Sequence, residues 1–366
     1  MSIKNNITVL ISPLDWGLGH ASRSIPLINY FLKLHCNVII ATSGKQENLL
    51  KTEFPTLSYV FLPGYDIQYT SNKRFFVLKI ISQLPKILKA VQIENNWLRH
   101  FVEKNKIDLI VSDNRYGFFH QSVHSIFITH QLTIKNNFFF VERFLQKMNY
   151  NYINRFSECW VPDEKGMQNL AGKLSHPAAL PKTPVTYIGG LSRFHFDENA
   201  IKYKLLIVLS GPEPQRTLLE KTMLDQLQQF TKPILFVRGL PGNTDNLPPQ
   251  ANIIFHNHLP ASQLEQAFQQ SEYIISRSGY TTVMDICKLK KKSILIPTPG
   301  QPEQEYLAGH LHKQGFCLSA KQENFDLDKE LNNADGFNYK FSEFEMEKYK
   351  SVIEVLVEKM VAQQKQ

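Results

Sequence analysis

Cysteine is scarce in this chain of 366 residues: Cys36, Cys159, Cys287 and Cys317 lie far apart, each in or beside an apolar run. They form no Cys-x-x-Cys pair and no disulfide framework, which excludes a stapled secreted domain and fits a reducing cytoplasm. Long hydrophobic runs are also missing, and none approaches the roughly 20 residues a spanning helix needs. The start Met-Ser-Ile-Lys-Asn-Asn leads directly into a strand, so no signal peptide is expected. Asp-x-Asp, which could hold a divalent ion on a diphosphate, occurs only at Asp326-Leu-Asp328, in a polar stretch expected at the periphery. His256 and His258 can face one side of an extended segment, but they lack a third ligand nearby. They read as loop histidines, and neither a metal nor a cofactor is expected. No short-period repeat and no nucleic-acid-binding module is visible, so nucleic acid is not an expected partner.

What is present is an ordinary globular composition, 43% hydrophobic and 11% aromatic. The length exceeds one comfortable core, so two domains are expected. The formal charge of +8 is uneven: residues 1–190 hold 21 Lys/Arg against 12 Asp/Glu, whereas residues 191–366 hold 20 against 21. In the basic half, bases interleave with bulky apolar residues from Lys73 to Ala90 and from Phe138 to Lys147. Such segments suit an anionic membrane surface; amphipathic helices packed inward with solvated lysines are the competing and favoured reading.

Short apolar strands recur at Ile7–Ile11, Asn37–Ala41, Leu57–Phe61, Ile107–Val111, Ser125–Thr129 and Cys159–Val161, with helical patterns between most of them. Continuous Ile, Val and Phe are what a parallel sheet buried on both faces requires. Near 175–198 Pro and Gly become dense, which marks a domain crossing. The alternation restarts at Lys204 and runs to the strand at Tyr273–Ile275; a polar, sheetless stretch at Gln322–Tyr339 then precedes a helical pattern at Ser342–Val361. The expected division is 1–190, 191–341 and a terminal helix within 342–366 that must bury its apolar face somewhere.

Three segments carry the chemistry. After the first strand comes Gly17-Leu-Gly19-His20-Ala-Ser-Arg23, in which two glycines let the backbone turn tightly and approach a ligand. A dinucleotide fold is the rival reading, disfavoured because Ser22 replaces the third glycine and the second strand ends without an acid. Ser276-Arg-Ser278-Gly279-Tyr-Thr-Thr-Val-Met-Asp285 reads as a small-residue turn into a helix that carries one acid. Pro297 to Tyr306, with Gln304 and Glu305, forms a second strand-loop-helix unit directly after it. Adjacent helix N-termini with nearby acids make a pocket for a phosphate-bearing nucleotide; two ordinary βα units are an equal alternative on spacing alone. Further polar clusters stand at expected strand ends: Ser112-Asp113-Asn114-Arg115 and Thr129-His130-Gln131. Their plainer readings are helix capping and a core-edge histidine.

Together these segments resemble the GT-B glycosyltransferases, and within them family 28, the MurG-like enzymes that use a UDP-sugar. The resemblance covers most of the chain as architecture but is motif-specific only at Gly17–His20, Ser276–Asp285 and Pro297–Tyr306. It implies an α/β protein with two Rossmann-like, doubly wound parallel-sheet domains facing a central cleft, the last helix returning to the first domain. It implies a hexosyltransferase whose later half binds a nucleotide-sugar donor and whose earlier half binds the acceptor; the basic, aromatic first half suggests that the acceptor is lipid-linked or glycan and met at the inner face of the membrane. By the resemblance Asp285 accepts from ribose hydroxyls, and Gln304 and Glu305 contact the donor sugar. The family has Gln where this chain has Glu305. Gly211, Arg216 and Thr217, with Ser278 and Gly279, are expected near the diphosphate, and Arg216 equally reads as a solvated first-turn residue. Gly17, Gly19, Arg23, Asn114, Arg115 and His130 are expected on the acceptor side. Gly-x-Gly-His-x-x-Arg is also similar to the opening of the UDP-sugar hydrolase of pseudaminic acid synthesis, where water replaces the acceptor.

The expected reaction is inverting and metal-independent. His20 is the leading base, since an imidazole near neutral pKa suits proton removal; Asp113 and Asp15 are the alternatives. Helix-start N–H groups near Thr217 and Tyr280, with Arg216, would stabilise the leaving group. Nucleotide-sugar hydrolysis or epimerisation on the same fold, and a non-catalytic nucleotide-binding role, are the other two readings.

Overall fold

A computed structural model describes residues 6–65, 83–135, 139–197, 199–245, 247–341 and 343–364. Positions 73–82 of the first basic stretch, and Phe138 of the second, lie outside the described residues. The chain divides into two compact units, one containing the described residues up to Ser192 together with Phe344 onward, the other containing Arg193–Glu343.

The first unit is a seven-stranded sheet: β1 (Thr8–Pro13), β2 (Asn37–Thr42), β3 (Ser58–Phe61), β4 (Leu109–Asp113), β5 (His124–Ile128), β6 (Glu158–Val161) and β7 (Val185–Tyr187). Their order across the sheet is β3-β2-β1-β4-β5-β6-β7, and every pair is parallel. Helices α1 (Leu18–Lys33), α2 (Gly44–Glu53), α3 (Leu84–Lys104) and α4 (Phe139–Ile153) join them. Parallel strands need such crossovers, which cover both faces and explain the unbroken apolar runs. One face buries Leu10, Ile110 and Phe118 with Leu98 of α3; another cluster joins Phe127, Cys159 and Val161 to Ile153 of α4. Each such side chain contributes roughly 1.5–3 kcal/mol on burial.

The second unit has six strands, β8 (Tyr203–Val208), β9 (Ile234–Val237), β10 (Ile253–His256), β11 (Ser271–Ser276), β12 (Lys292–Leu295) and β13 (Leu318–Ser319). They are ordered β10-β9-β8-β11-β12-β13, again all parallel. Helices α5 (Gln215–Leu227), α6 (Ala261–Gln269), α7 (Tyr280–Leu289), α8 (Pro302–Lys313) and α9 (Leu327–Gly336) complete it. Its core sets Leu205, Ile207, Phe236 and Ile275 against Leu219 and Met223 of α5 and Leu331 of α9.

The final helix, α10 (Lys348–Gln364), belongs to the first unit. Its Tyr349, Ile353, Leu356 and Val357 are buried, Tyr30 of α1 hydrogen-bonds Glu354, and Gln364 Nε2 donates to Asp108 Oδ1 at 2.9 Å. The returning chain docks first on Gly190, whose N–H donates to Glu345 O at 3.1 Å. Gly189 beside it has φ +71°, and a Cβ there would strike the same carbonyl, so glycine is required twice over.

Two elements go beyond what the sequence reading named. The polar stretch after Gln322 holds α9, because Leu327, Leu331 and Ala334 recur on one face and are buried. Asp326 is its N-cap, with Oδ1 accepting from Lys329 N at 3.0 Å. In addition, Val185–Tyr187, inside the Pro/Gly-rich crossing, pairs with β6 as the seventh strand of the first sheet.

Candidate functional site

In the first unit the strand order reverses between β1 and β4, whose carboxyl ends meet at the pair Pro13 and Asp113. Connections leave such a point in opposite directions and open a crevice there. Gly17, at φ +90° with open space where a Cβ would stand, turns the chain out of β1 and caps α1. Gln46 Nε2 pins this loop by donating to Asp15 O at 2.8 Å and Gly17 O at 3.2 Å. Gly19 and His20 then fall in the first turn of α1, and Arg23 one turn further on.

The structure brings His20, Arg23, Asp113 and His130 together. Arg23 grips Asp113 with both arms, Nε to Oδ2 at 2.8 Å and Nη2 to Oδ1. Its Nη1 lies 3.1 Å from His130 Nδ1, and its Nη2 2.8 Å from His20 Nδ1. His20 Nδ1 also lies 3.1 Å from Asp113 Oδ2. Asp113 and Arg23 are buried, whereas the His20 side chain keeps 15% of its surface exposed.

Electrostatics follows from this packing. Burial lowers the His20 pKa from 6.5, the neighbouring Arg23 charge lowers it further, and Asp113 only partly opposes them. Its place at a helix N-terminus acts in the same direction. Burial pushes Asp113 up, but Arg23 and then His20 more than offset that, leaving its carboxyl at about 2. His20 is therefore neutral at pH 7, and its tautomer decides its chemistry. If Nδ1 accepts from Arg23, the proton sits on Nε2; if Nδ1–H donates to Asp113, Nε2 has a free lone pair and can act as a base.

Asn114 takes a left-handed turn, φ +58°, directly after β4. Arg115 does not join the cluster. It is 1% exposed, and its guanidinium pairs with Glu94 and donates to Pro63 O at 2.7 Å and Pro13 O at 3.3 Å. Glu94 also accepts from Tyr65 Oη at 2.7 Å and Gly117 N at 2.8 Å. This interior brace holds the loops after β1, β3 and β4, and it uses up the charge an acceptor contact would need. Asp15, the other alternative base, accepts from Tyr65 N at 2.9 Å through Oδ2, so it helps hold the loop after β3.

In the second unit the order reverses between β8 and β11. Gly211, φ +102°, lies in the loop after β8; a Cβ there would stand 3.5 Å from Thr298 Oγ1 and 3.9 Å from Arg277 Nε. Both of those atoms are buried without a hydrogen-bond partner among the described residues. Arg277 is 1% exposed, and its other nitrogens reach only carbonyls: Gln215 at 2.8 Å, Pro297 at 3.2 Å and Ile296 at 3.3 Å. No ion pair to Arg277 exists among the described residues, and burial pulls its pKa down to about 10. A guanidinium held by carbonyls, with one N–H unsatisfied, is arranged to receive an anion. Arg277 is not among the residues singled out by sequence; a lone arginine inside a small-residue turn after an apolar strand is the available signal.

The remaining expected donor residues are placed as follows. Gly279 caps α7 with open space beside it, Asp285 is buried on α7, and Ser278 Oγ donates to Gln304 O at 2.9 Å. Gln304 Oε1 accepts from Thr298 N and Glu305 Oε1 from Gly300 N, both at 2.9 Å, so these two side chains fold back onto the loop that precedes α8. Arg216 is not a free diphosphate ligand in this structure. It is 5% exposed, with Nη1 on Glu220 at 3.0 Å, Nε on Glu213 at 2.5 Å and Nη2 on Thr217 Oγ1 at 2.6 Å.

Residues 240–356 match the sequence model of the glycosyltransferase family 28 C-terminal domain. No curated protein matches the chain by sequence. Several solved structures share its architecture. The glycosyltransferase of kitacinnamycin superposes with a TM-score of 0.62 at 14% identity, covering 97% of this chain and 96% of that one. Spinosyn rhamnosyltransferase SpnG complexed with thymidine diphosphate gives 0.59 at 13%, covering 97% and 96%. Acinetobacter baumannii MurG gives 0.53 at 13%, covering 98% and 95%. The fold is GT-B, as the sequence resemblance implied, and the match to the family 28 domain together with that fold supports a glycosyltransferase.

Proposed function

We propose that the protein transfers a sugar from a nucleoside diphosphate, UDP first among candidates, to an acceptor hydroxyl, with inversion and without a metal ion. The observation that carries this reading is Arg277, a buried cation without a carboxylate partner among the described residues, beside Gly211 and the start of α5. Two phosphates supply the anion that this arrangement invites.

The first unit supplies the base. In the tautomer with Nδ1–H on Asp113, which requires Arg23 Nη2 to leave its 2.8 Å contact with Nδ1, His20 Nε2 takes the acceptor proton. The acceptor oxygen bonds to the anomeric carbon as the bond from that carbon to the phosphate oxygen breaks, and nucleoside diphosphate departs with the electron pair. Arg277 and the N–H groups at the starts of α5 and α7 offset the leaving charge, the task a divalent ion performs elsewhere. Asp285 is assigned to the ribose and Gln304 and Glu305 to the sugar, which requires the last two to release Thr298 N and Gly300 N.

Thermal unfolding with UDP, dTDP, ADP, GDP and uridine tests the donor class. A ligand at a hundred times its Kd is expected to stabilise by about 2.7 kcal/mol. Arg277→Met should abolish the response to the diphosphate; a panel with no response to any nucleoside diphosphate would refute the reading. Release of UDP from a UDP-sugar without acceptor, at the rate seen with acceptor, would reassign the activity to hydrolysis.

The acceptor is proposed to be lipid-linked or glycan, reached by peripheral contact with an anionic membrane. No helix among the described residues is long and apolar enough to cross a membrane. Helix α3, however, exposes Leu88 (42%) and Ile93 (49%), with Lys86 and Lys89 nearby. Leu88→Asp combined with Ile93→Asp should abolish co-sedimentation with phosphatidylglycerol vesicles at low salt. Absence of binding by the unaltered protein removes the membrane from the proposal.

A further inference from the structure

The first turn of α5 already holds an anion of the protein's own. Glu213 Oε2 accepts from Thr217 N at 3.2 Å and Thr217 Oγ1 at 2.7 Å, and Oε1 accepts from Arg216 Nε at 2.5 Å. A helix start leaves N–H groups that a carboxylate or a phosphate satisfies equally well. Glu213 differs from the other acid on Arg216: Glu220 is 7% exposed and shared with Arg238, a fixed interior contact, whereas Glu213 is 54% exposed. An exposed carboxylate can swing into water at little cost.

A second observation points to an anion at the same place. Arg277 Nε and Thr298 Oγ1, both buried and without a partner, stand beside Gly211, two residues before Glu213, and Arg277 Nη2 holds the carbonyl of the first residue of α5. The start of α5 therefore has one group of donors occupied by Glu213 and another that Glu213 does not reach.

We infer that Glu213 is a displaceable internal counter-anion that competes with the donor's phosphates for the start of α5 and so sets donor affinity. The inference rests on the donor reading given above. Phosphate binding expels Glu213 from Thr217 and Arg216, and this exchange frees Arg216 Nε while Nη1 stays on Glu220. A nucleoside without phosphates has no anion to exchange, so its binding is indifferent to Glu213.

Titration calorimetry of the full chain with UDP, dTDP, pyrophosphate and uridine, for the unaltered protein, Glu213→Gln and Glu213→Ala, tests this. Both variants are expected to bind the preferred diphosphate and pyrophosphate about three- to tenfold more tightly, with uridine unchanged. Unchanged or weaker diphosphate binding in both variants overturns the inference while the donor reading stands. If no nucleoside diphosphate binds any of the three proteins, the donor reading fails and this inference with it. A crystal structure of the unaltered protein with UDP supplies a readout free of mutation: Glu213 still bonded to Thr217 beside a bound diphosphate overturns the exchange.

Discussion

Replacing His20 by alanine is expected to lower kcat by roughly 10²–10⁴-fold while the Kd for the donor nucleotide stays near that of the unaltered protein. The dissociation of the two effects follows from placement: His20 lies in the first unit, and the residues assigned to the donor all lie in the second. The pH profile provides the finer check. His20 must be neutral to act, and burial with Arg23 lowers its pKa from 6.5, so the acid limb of kcat/KM should fall below that value and the rate should be level at pH 7. An unchanged kcat in the alanine variant, or an acid limb above 6.5, would remove His20 as the base.

The architecture was legible because its physics is local and repetitive. Strands buried on both faces must be apolar throughout, and Ile7–Ile11 or Tyr273–Ile275 cannot easily be anything else. Two elements escaped for opposite reasons. Helix α9 is polar on most of its surface and buries only Leu327, Leu331 and Ala334, so the period was hidden by Asn, Asp, Lys and Glu. Strand β7 has three residues, too few for a period to register, and sits among prolines whose usual meaning is a break.

At the site, residue type was legible and direction was not. The sequence names His20, Arg23, Asp113 and His130 in three separate segments, but only strand register and the turn at Gly17 bring them within hydrogen-bond reach. Arg115 and Arg216 show the converse. Each lies in a segment that favours ligand contact, and each is turned inward by an acid, Glu94 or Glu220, that is distant or inconspicuous in sequence. An arginine that finds an acid within the fold is held there; Arg277, which among the described residues finds only carbonyls, keeps an unmet demand for charge. The absence of an internal partner separates a candidate ligand-binding arginine from a structural one, and no sequence spacing encodes it.

Arg23→Leu is expected to destabilise the first unit by about 3–5 kcal/mol, since it leaves Asp113 buried without its cation. All three tryptophans, Trp16, Trp97 and Trp160, lie in that unit, so their fluorescence during urea unfolding reports on it alone. The dependence on pH separates loss of the ion pair from loss of packing. In the unaltered protein the Asp113 pKa is depressed from 3.8 to about 2. Its contribution, about 2 kcal/mol, is complete above the unfolded value and is lost as pH falls through the folded one. The depressed His20 acts in the same sense, because below 6.5 the unfolded chain binds that proton more readily. Without Arg23 only His20 still opposes burial, so the Asp113 pKa must rise from about 2 and the gain in stability between the folded and unfolded values must shrink. His20, freed from the same charge, must titrate higher than in the unaltered protein. An undiminished stability–pH slope across the carboxylate range in Arg23→Leu, or an unmoved His20 resonance in its NMR titration, would show that Arg23 acts there as packing and that its charge does not govern the cluster.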